Sequence, residues 1–131
     1  MKRLVTAVLL ASWAHSAISE PLEKHNVSVG KLYKEYQDNP ARATSKYKGG
    51  IMVISGKALY VQSNHNEAGS YILAMQAGQG RFLMAGFDNQ SEDKLGALSM
   101  GSSFKIVCFN AGTGNIEGVN MPLLTLCSFP E

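Results

Sequence analysis

The chain has 131 residues, 45% of them hydrophobic and 17% charged, with 12 lysines and arginines against 10 aspartates and glutamates. At roughly 150 residues per domain this length gives a single domain, and 13 glycines with 4 prolines fit neither a disordered tail nor a coiled coil. Two cysteines and three histidines, none at zinc-ligand spacing, exclude a disulfide-dense miniature scaffold and a structural zinc site.

Residues 1–19 have the form of an export signal. Lys2 and Arg3 supply the positive start, residues 4–14 are an uncharged and mostly apolar run, and Ala17 and Ser19 place small side chains before a cut at Glu20. A second cut three residues earlier is offered by Ala14-His15-Ser16. The apolar run is shorter than the ~20 residues a bilayer span needs, so no stable membrane anchor is expected. Neither cut precedes a cysteine, and no lipid-anchored form is expected. The mature domain is then 20–131. Loss of Lys2 and Arg3 leaves 12 − 2 = 10 basic residues against 10 acidic ones, a formal charge of zero. Lys46, Lys48 and Lys57 form the one local basic cluster and read as a solvated rim. An exported chain meets oxidising conditions, where Cys108 and Cys127 can pair. The alternative is two separate buried thiols.

Residues 20–27 read as a polar lead-in. Ser28 then offers a helix cap ahead of an apolar stripe at Val29, Leu32, Tyr33 and Tyr36. Asn39-Pro40 interrupts that helix, a second turn or two continues through Ala41, Ala43 and Tyr47, and Gly49-Gly50 ends it. From Ile51 the pattern is extended: residues 51–62 form a strand with Gly56 inside it, a site for a sharp bend. Residues 63–69 are a polar loop. Residues 71–76 and 81–87 are two strands of a hairpin turning at Gly78-Gln79-Gly80. Residues 91–98 are a short helix with Glu92 and Asp93 in its first turn. The last strands are 104–109 and 123–129, separated by a glycine-rich loop over 110–120.

This order predicts a mainly β fold: a five-stranded, OB-fold-like Greek-key barrel with an N-terminal helix and a short helix between strands three and four. Leu32, Tyr36, Asn39 and Ala43, then Tyr47-Lys48-Gly49 running into a strand with an internal glycine, resemble the opening of the tRNA-anticodon-binding-like OB-fold family. Leu95, Leu98 and Gly101 before the 104–108 strand, the glycine loop and a last strand carrying Cys127 continue the resemblance over roughly residues 32–128. It implies a fold much more than a function, in a family of mostly small exported or phage- and plasmid-borne bacterial proteins. Gly50 stands where the resemblance leads one to expect a lysine, which weakens the case for a basic entrance to the first strand.

An OB-fold commonly binds on the face of strands two and three, between the loops after strands one and four. Here the candidate binding face is Tyr60, Tyr71, Arg81, Phe82 and Phe87, and the candidate binding loops carry Asn64, His65, Asn66, Thr113 and Asn115. By alternation, Tyr71 with Leu73 and Met75, and Phe82 with Met84, are expected to be core sets. No catalytic residues emerge: His25 and His65 stand alone, Gly112-Thr113-Gly114 lacks a third glycine at dinucleotide spacing, and Glu92-Asp93 is a helix-terminus feature. No cofactor or metal is expected, and the chain is not read as an enzyme. The expected function is an exported binding module, periplasmic or secreted. It would act by contact with a protein or envelope component, as an inhibitor or immunity-type protein or a mobile-element accessory. The alternative is a single-stranded nucleic-acid binder.

Overall fold

The computed structural model describes residues 22–64, 67 and 69–130. The expected leader over 1–19 and the loop residues His65 and Asn66 lie outside the described residues. In chain order the elements are β1 (Lys24–Ser28), α1 (Val29–Asp38), α2 (Pro40–Tyr47), β2 (Ile51–Ser63), β3 (Tyr71–Gly78), β4 (Arg81–Phe87), a 3₁₀ turn over Asn89–Ser91, α3 (Glu92–Gly96), β5 (Ser103–Ile116) and β6 (Val119–Ser128).

The helices start where their caps dictate. The Ser28 hydroxyl accepts the Lys31 amide at 3.3 Å and opens α1. The Asn39 side chain accepts the Arg42 amide at 3.0 Å and opens α2, whose first residue, Pro40, has no amide to leave unpaired. One face of each helix is apolar: Val29, Leu32 and Tyr36 from α1, and Ala43 and Tyr47 from α2, are buried.

Six strands form one sheet in the order β1–β2–β3–β4–β6–β5, and β2 also pairs with β5. The sequence pattern predicts five. The additional strand is β1, which occupies the segment expected to be a lead-in and runs parallel to β2 from Lys24↔Ile51 to Ser28↔Ser55. A parallel neighbour needs a crossover connection, and α1 with α2 supplies it. The sequence KHNVS carries little strand signal because β1 pairs on one side only and buries Val27 alone. The remaining pairings run β2–β3–β4–β6–β5 and return from β5 to β2. Residues 51–57 of β2 face β5 and residues 58–63 face β3. The handover falls beside Gly56, where a Cβ would lie 2.6 Å from Val29 Cγ2.

The expected loop over 110–120 is instead the outer half of a long β5–β6 hairpin, paired from Thr113↔Pro122 to Ile116↔Val119. Its turn is Glu117-Gly118, with φ of 52° and 83°, the pair of positive values a two-residue hairpin turn requires. The Asn115 side chain accepts the Gly118 amide at 3.0 Å. Glycine content hid this strand, yet one of those glycines is needed for the pairing: a Cβ at Gly114 would meet Leu123 Cδ2 at 2.7 Å.

Strand and helix residues together form one hydrophobic core. Leu32, Tyr36, Tyr47, Met52, Ile54, Leu73, Met75, Leu83 and Ile106 are fully buried. The short helix expected between the third and fourth ring strands lies between β4 and β5 and contributes Leu95 to this core. Cys108 and Cys127 are bonded to each other and buried within the core, which settles the two readings of these residues in favour of the disulfide.

Candidate binding face

Pairing register decides which side chains share the outer surface of the ring. Tyr60, Ala74 and Met84 form one cross-strand row, in which Ala74 is itself fully covered, Gln62, Ile72 and Gly86 the next, and Gln76 with Phe82 a third. The alternate rows, Val61–Leu73–Ala85 and Ala58–Met75–Leu83, point inward. The outer rows carry two aromatic rings, two primary amides, aliphatic and thioether groups, and no carboxylate.

Tyr60 is 42% exposed and Phe82 half-buried, so the structure brings these two candidate residues to one face. It turns the others elsewhere. Phe87 is 3% exposed and stacks on Phe129 with ring centroids 5.4 Å apart; it is a core ring. Tyr71 shares the inward row with Phe87, packs against the core and donates its hydroxyl to Glu92 at 2.7 Å. That carboxylate raises the Tyr71 phenol above its usual value. Arg81 stands on the opposite side of β4 from Phe82 and lies over the Tyr33 ring of α1, 5.9 Å from its centroid. The expectation that Phe82 and Met84 are a core set is also corrected: Leu83, Ala85 and Phe87 are the buried residues of β4. Both frames of that strand are apolar, so alternation alone did not say which one faces inward.

The candidate loop residues separate in the same way. Asn64 remains in the β2–β3 loop, where its amide donates to the Ser70 carbonyl at 3.0 Å. Thr113 and Asn115 lie in β5. The Thr113 hydroxyl hydrogen-bonds the Thr44 hydroxyl of α2, and Asn115 secures the hairpin turn.

The lysines expected to cluster are dispersed. Lys46 pairs with Glu35 at 3.3 Å and covers the Tyr47 ring. Lys48 lies against Gly112. Lys57 stands at the Phe82 end of the outer face, where register makes it a diagonal neighbour of Lys105: Ser55 pairs with Lys105 and Lys57 with Ser103. The carboxylates Glu67, Asp88, Glu92 and Asp93 lie in the β2–β3 loop and after β4, at the opposite end of β3 and β4. The Lys57–Lys105 pair was invisible in the sequence because 48 positions separate the two residues. A hairpin spacing would have revealed such a pair; a ring-closing one does not.

Along the seam where β4 meets β6 through Ala85↔Leu124 and Phe87↔Cys127, an apolar groove of about 210 Å³ opens between Ile72, Met84, Met121, Pro122 and Leu123. Among the described residues no group of three His, Cys, Asp or Glu is placed to hold a metal ion.

A family model described as tRNA_anti-like matches residues 5–125, nearly the whole chain. The chain belongs to the tRNA_anti-like family. The residues that carried the resemblance in the sequence hold structural positions in this tRNA_anti-like chain: Leu32, Tyr36, Ala43 and Tyr47 are core, and Asn39 caps α2. A solved structure of a candidate nucleic acid-binding lipoprotein from Klebsiella pneumoniae subsp. pneumoniae MGH 78578 is similar, with a TM-score of 0.64 and 21% identity, covering 82% of this chain and 92% of that one. At that identity the likeness is one of fold. No curated protein matches the tRNA_anti-like chain at a significant level.

Proposed function

We propose that this tRNA_anti-like protein is a non-catalytic OB-like binding module of the cell envelope that takes single-stranded nucleic acid across its outer β2–β3–β4 face. The closed circuit of pairings is read as a five-stranded barrel from β2 to β6 with β1 appended. The observation that carries the function is the composition of that face: Tyr60 and Phe82, with Lys57 and Lys105 at one end and no carboxylate on the outer rows. Stacking on an aromatic ring contributes about 1–3 kcal/mol per base and tolerates any sequence, and the lysines are placed to neutralise phosphates. The family's name and the nucleic acid-binding name of the similar Klebsiella protein support the same class. Export is supported by the 1–19 leader pattern and by the disulfide, a bond that persists in oxidising compartments.

This ranking reverses the one from sequence, where zero mature charge puts a protein or envelope partner first. Net charge averages over the surface, whereas Lys57 and Lys105 act locally. One observation keeps the protein-contact reading as the second: the apolar groove between β4 and β6 suits an aliphatic side chain better than a phosphate.

The test is fluorescence anisotropy of the mature protein with a short labelled oligothymidylate. Two cations on a single strand predict a log–log salt slope near −1.4, about a sevenfold loss of affinity across a fourfold rise in salt. Tyr60→Ala and Phe82→Ala should each weaken binding by about tenfold. A folded protein that binds nothing at about 50 mM salt, where electrostatic binding is strong, overturns the nucleic-acid function. Recovery of a periplasmic protein through a groove residue such as Leu123 would then support the second.

A further inference from the structure

We propose that the groove between α1 and the β3–β4 hairpin is a second station for the same nucleic-acid strand, holding one base and its phosphate against the stacked Arg81–Tyr33 pair. This rests on the nucleic-acid function proposed above. The groove is open, about 560 Å³, within the range of about 300–1,000 Å³ that ligand sites occupy. Its walls are Gly30, Tyr33, Lys34, Gln37 and Asp38 of α1 and Ala77 and Arg81 of the hairpin.

Its charge is set by one residue. Lys34 is bound to the neighbouring Asp38 carboxylate at 2.7 Å, so those two charges offset each other. Arg81 is exposed and, among the described residues, makes no salt bridge; its guanidinium lies over the Tyr33 ring. A guanidinium plane beside a tyrosine ring is a pairing on which bases stack, and the guanidinium also carries the donors a phosphate needs. The Gln37 amide nitrogen is committed to the Asn120 carbonyl at 2.7 Å, which holds its carbonyl oxygen in place as an acceptor for a base amino group. The space beside Gly30 is open, since a Cβ there would meet nothing within 4 Å.

Position in β4 links this groove to the face. Arg81 and Phe82 are consecutive, and strand alternation sends Phe82 to the outer face and Arg81 to the helix side. A strand whose base rests on Phe82 reaches Tyr33 by crossing the hairpin end, past Gln79 and Gly80. The face alone accounts for a few nucleotides, and the groove lengthens the footprint.

The full mature chain, with Arg81→Gln and Gly30→Met variants checked for native circular dichroism, is titrated with labelled oligothymidylates of about 4 and about 12 nucleotides, which span the site size of one OB fold. Arg81→Gln removes the cation, and Gly30→Met fills the groove without touching Arg81. Both variants should bind the longer probe about tenfold more weakly and the shorter one as the parent does. Arg81→Gln should also flatten the salt slope of the longer probe by about 0.7. Any other pattern in the variants overturns the groove, including equal weakening of both probes. A parent that binds neither probe brings down the face reading itself. A parent that binds both, with variants that keep its ratio, brings down the groove alone.

Discussion

Gly56 is small because Val29 occupies the space its side chain would need. A Cβ at this position would stand only 2.6 Å from Val29 Cγ2, and its absence lets the first turn of α1 lie directly on β2 where β2 changes partners. Gly56→Ala should therefore destabilise by about 1–3 kcal/mol through overpacking. Adding Val29→Ala should return part of that loss, with a coupling of about 0.5–3 kcal/mol in urea unfolding; strictly additive effects would refute the contact. Asn110 is the other decisive residue. Fully buried, it donates to the Tyr36 hydroxyl at 3.1 Å and accepts the Gly112 amide at 2.9 Å. Burial pushes the Tyr36 phenol above its usual value, so it stays neutral at physiological pH. A buried amide left without these partners costs about 1–3 kcal/mol, and the pair fixes α1 against β5 where its register on β6 shifts between Asn110 and Thr113.

Among the elements, β6 carries the most local strain. Leu126 holds φ at 51° while 82% exposed, so its left-handed backbone, which costs roughly 1–2 kcal/mol, gains little burial in return. Its neighbour Cys127 must reach Cys108, and Phe129 must reach Phe87; these anchors impose the bend. Leu126→Asn should raise the urea midpoint by the equivalent of about 0.5–1 kcal/mol, because asparagine adopts this conformation more readily. A lowered midpoint would show that the leucine side chain contributes to folding. The disulfide closes a segment of 19 residues, which on the loop-closure scale is worth about 3 kcal/mol. It secures the strand that Leu126 strains.

At the scale of the molecule, charge is distributed along the face: Lys57 and Lys105 at the Phe82 end, and Glu67, Asp88, Glu92 and Asp93 in the β2–β3 loop and the segment after β4. Zero net charge over residues 20–131 thus conceals a polarity that would orient a polyanion. The proposed cleavage before Glu20 would leave every described element intact, since β1 starts at Lys24. Expression of the full chain in a bacterium should therefore release into the periplasm a protein whose intact mass starts at Glu20 and is lower by two hydrogens for the Cys108–Cys127 bond. An uncleaved chain in the cytosol with both thiols free would contradict the envelope location proposed above.

The amino-acid sequence by itself determined the features that depend on near neighbours. The Ser28 cap, the break at Asn39-Pro40, the apolar stripe Val29-Leu32-Tyr36, the hairpin at Gly78-Gln79-Gly80 and the short helix carrying Leu95 all follow from turn chemistry and periodicity within a few residues. The family could be read from the same anchors. Tertiary structure alone decided whatever depends on a distant partner. β1 is a strand only because β2 is there to pair with it, and residues 110–120 extend only because Leu123 can cross Gly114. Four of the five residues proposed for the face are aromatic, and their type says nothing about which side of a strand they occupy. Register against a core assembled from remote segments turned Tyr60 and Phe82 outward and Phe87 inward, and closure of β5 on β2 brought Lys105 beside Lys57. Local sequence fixes backbone preference; the sidedness of a strand is a property of the packed whole.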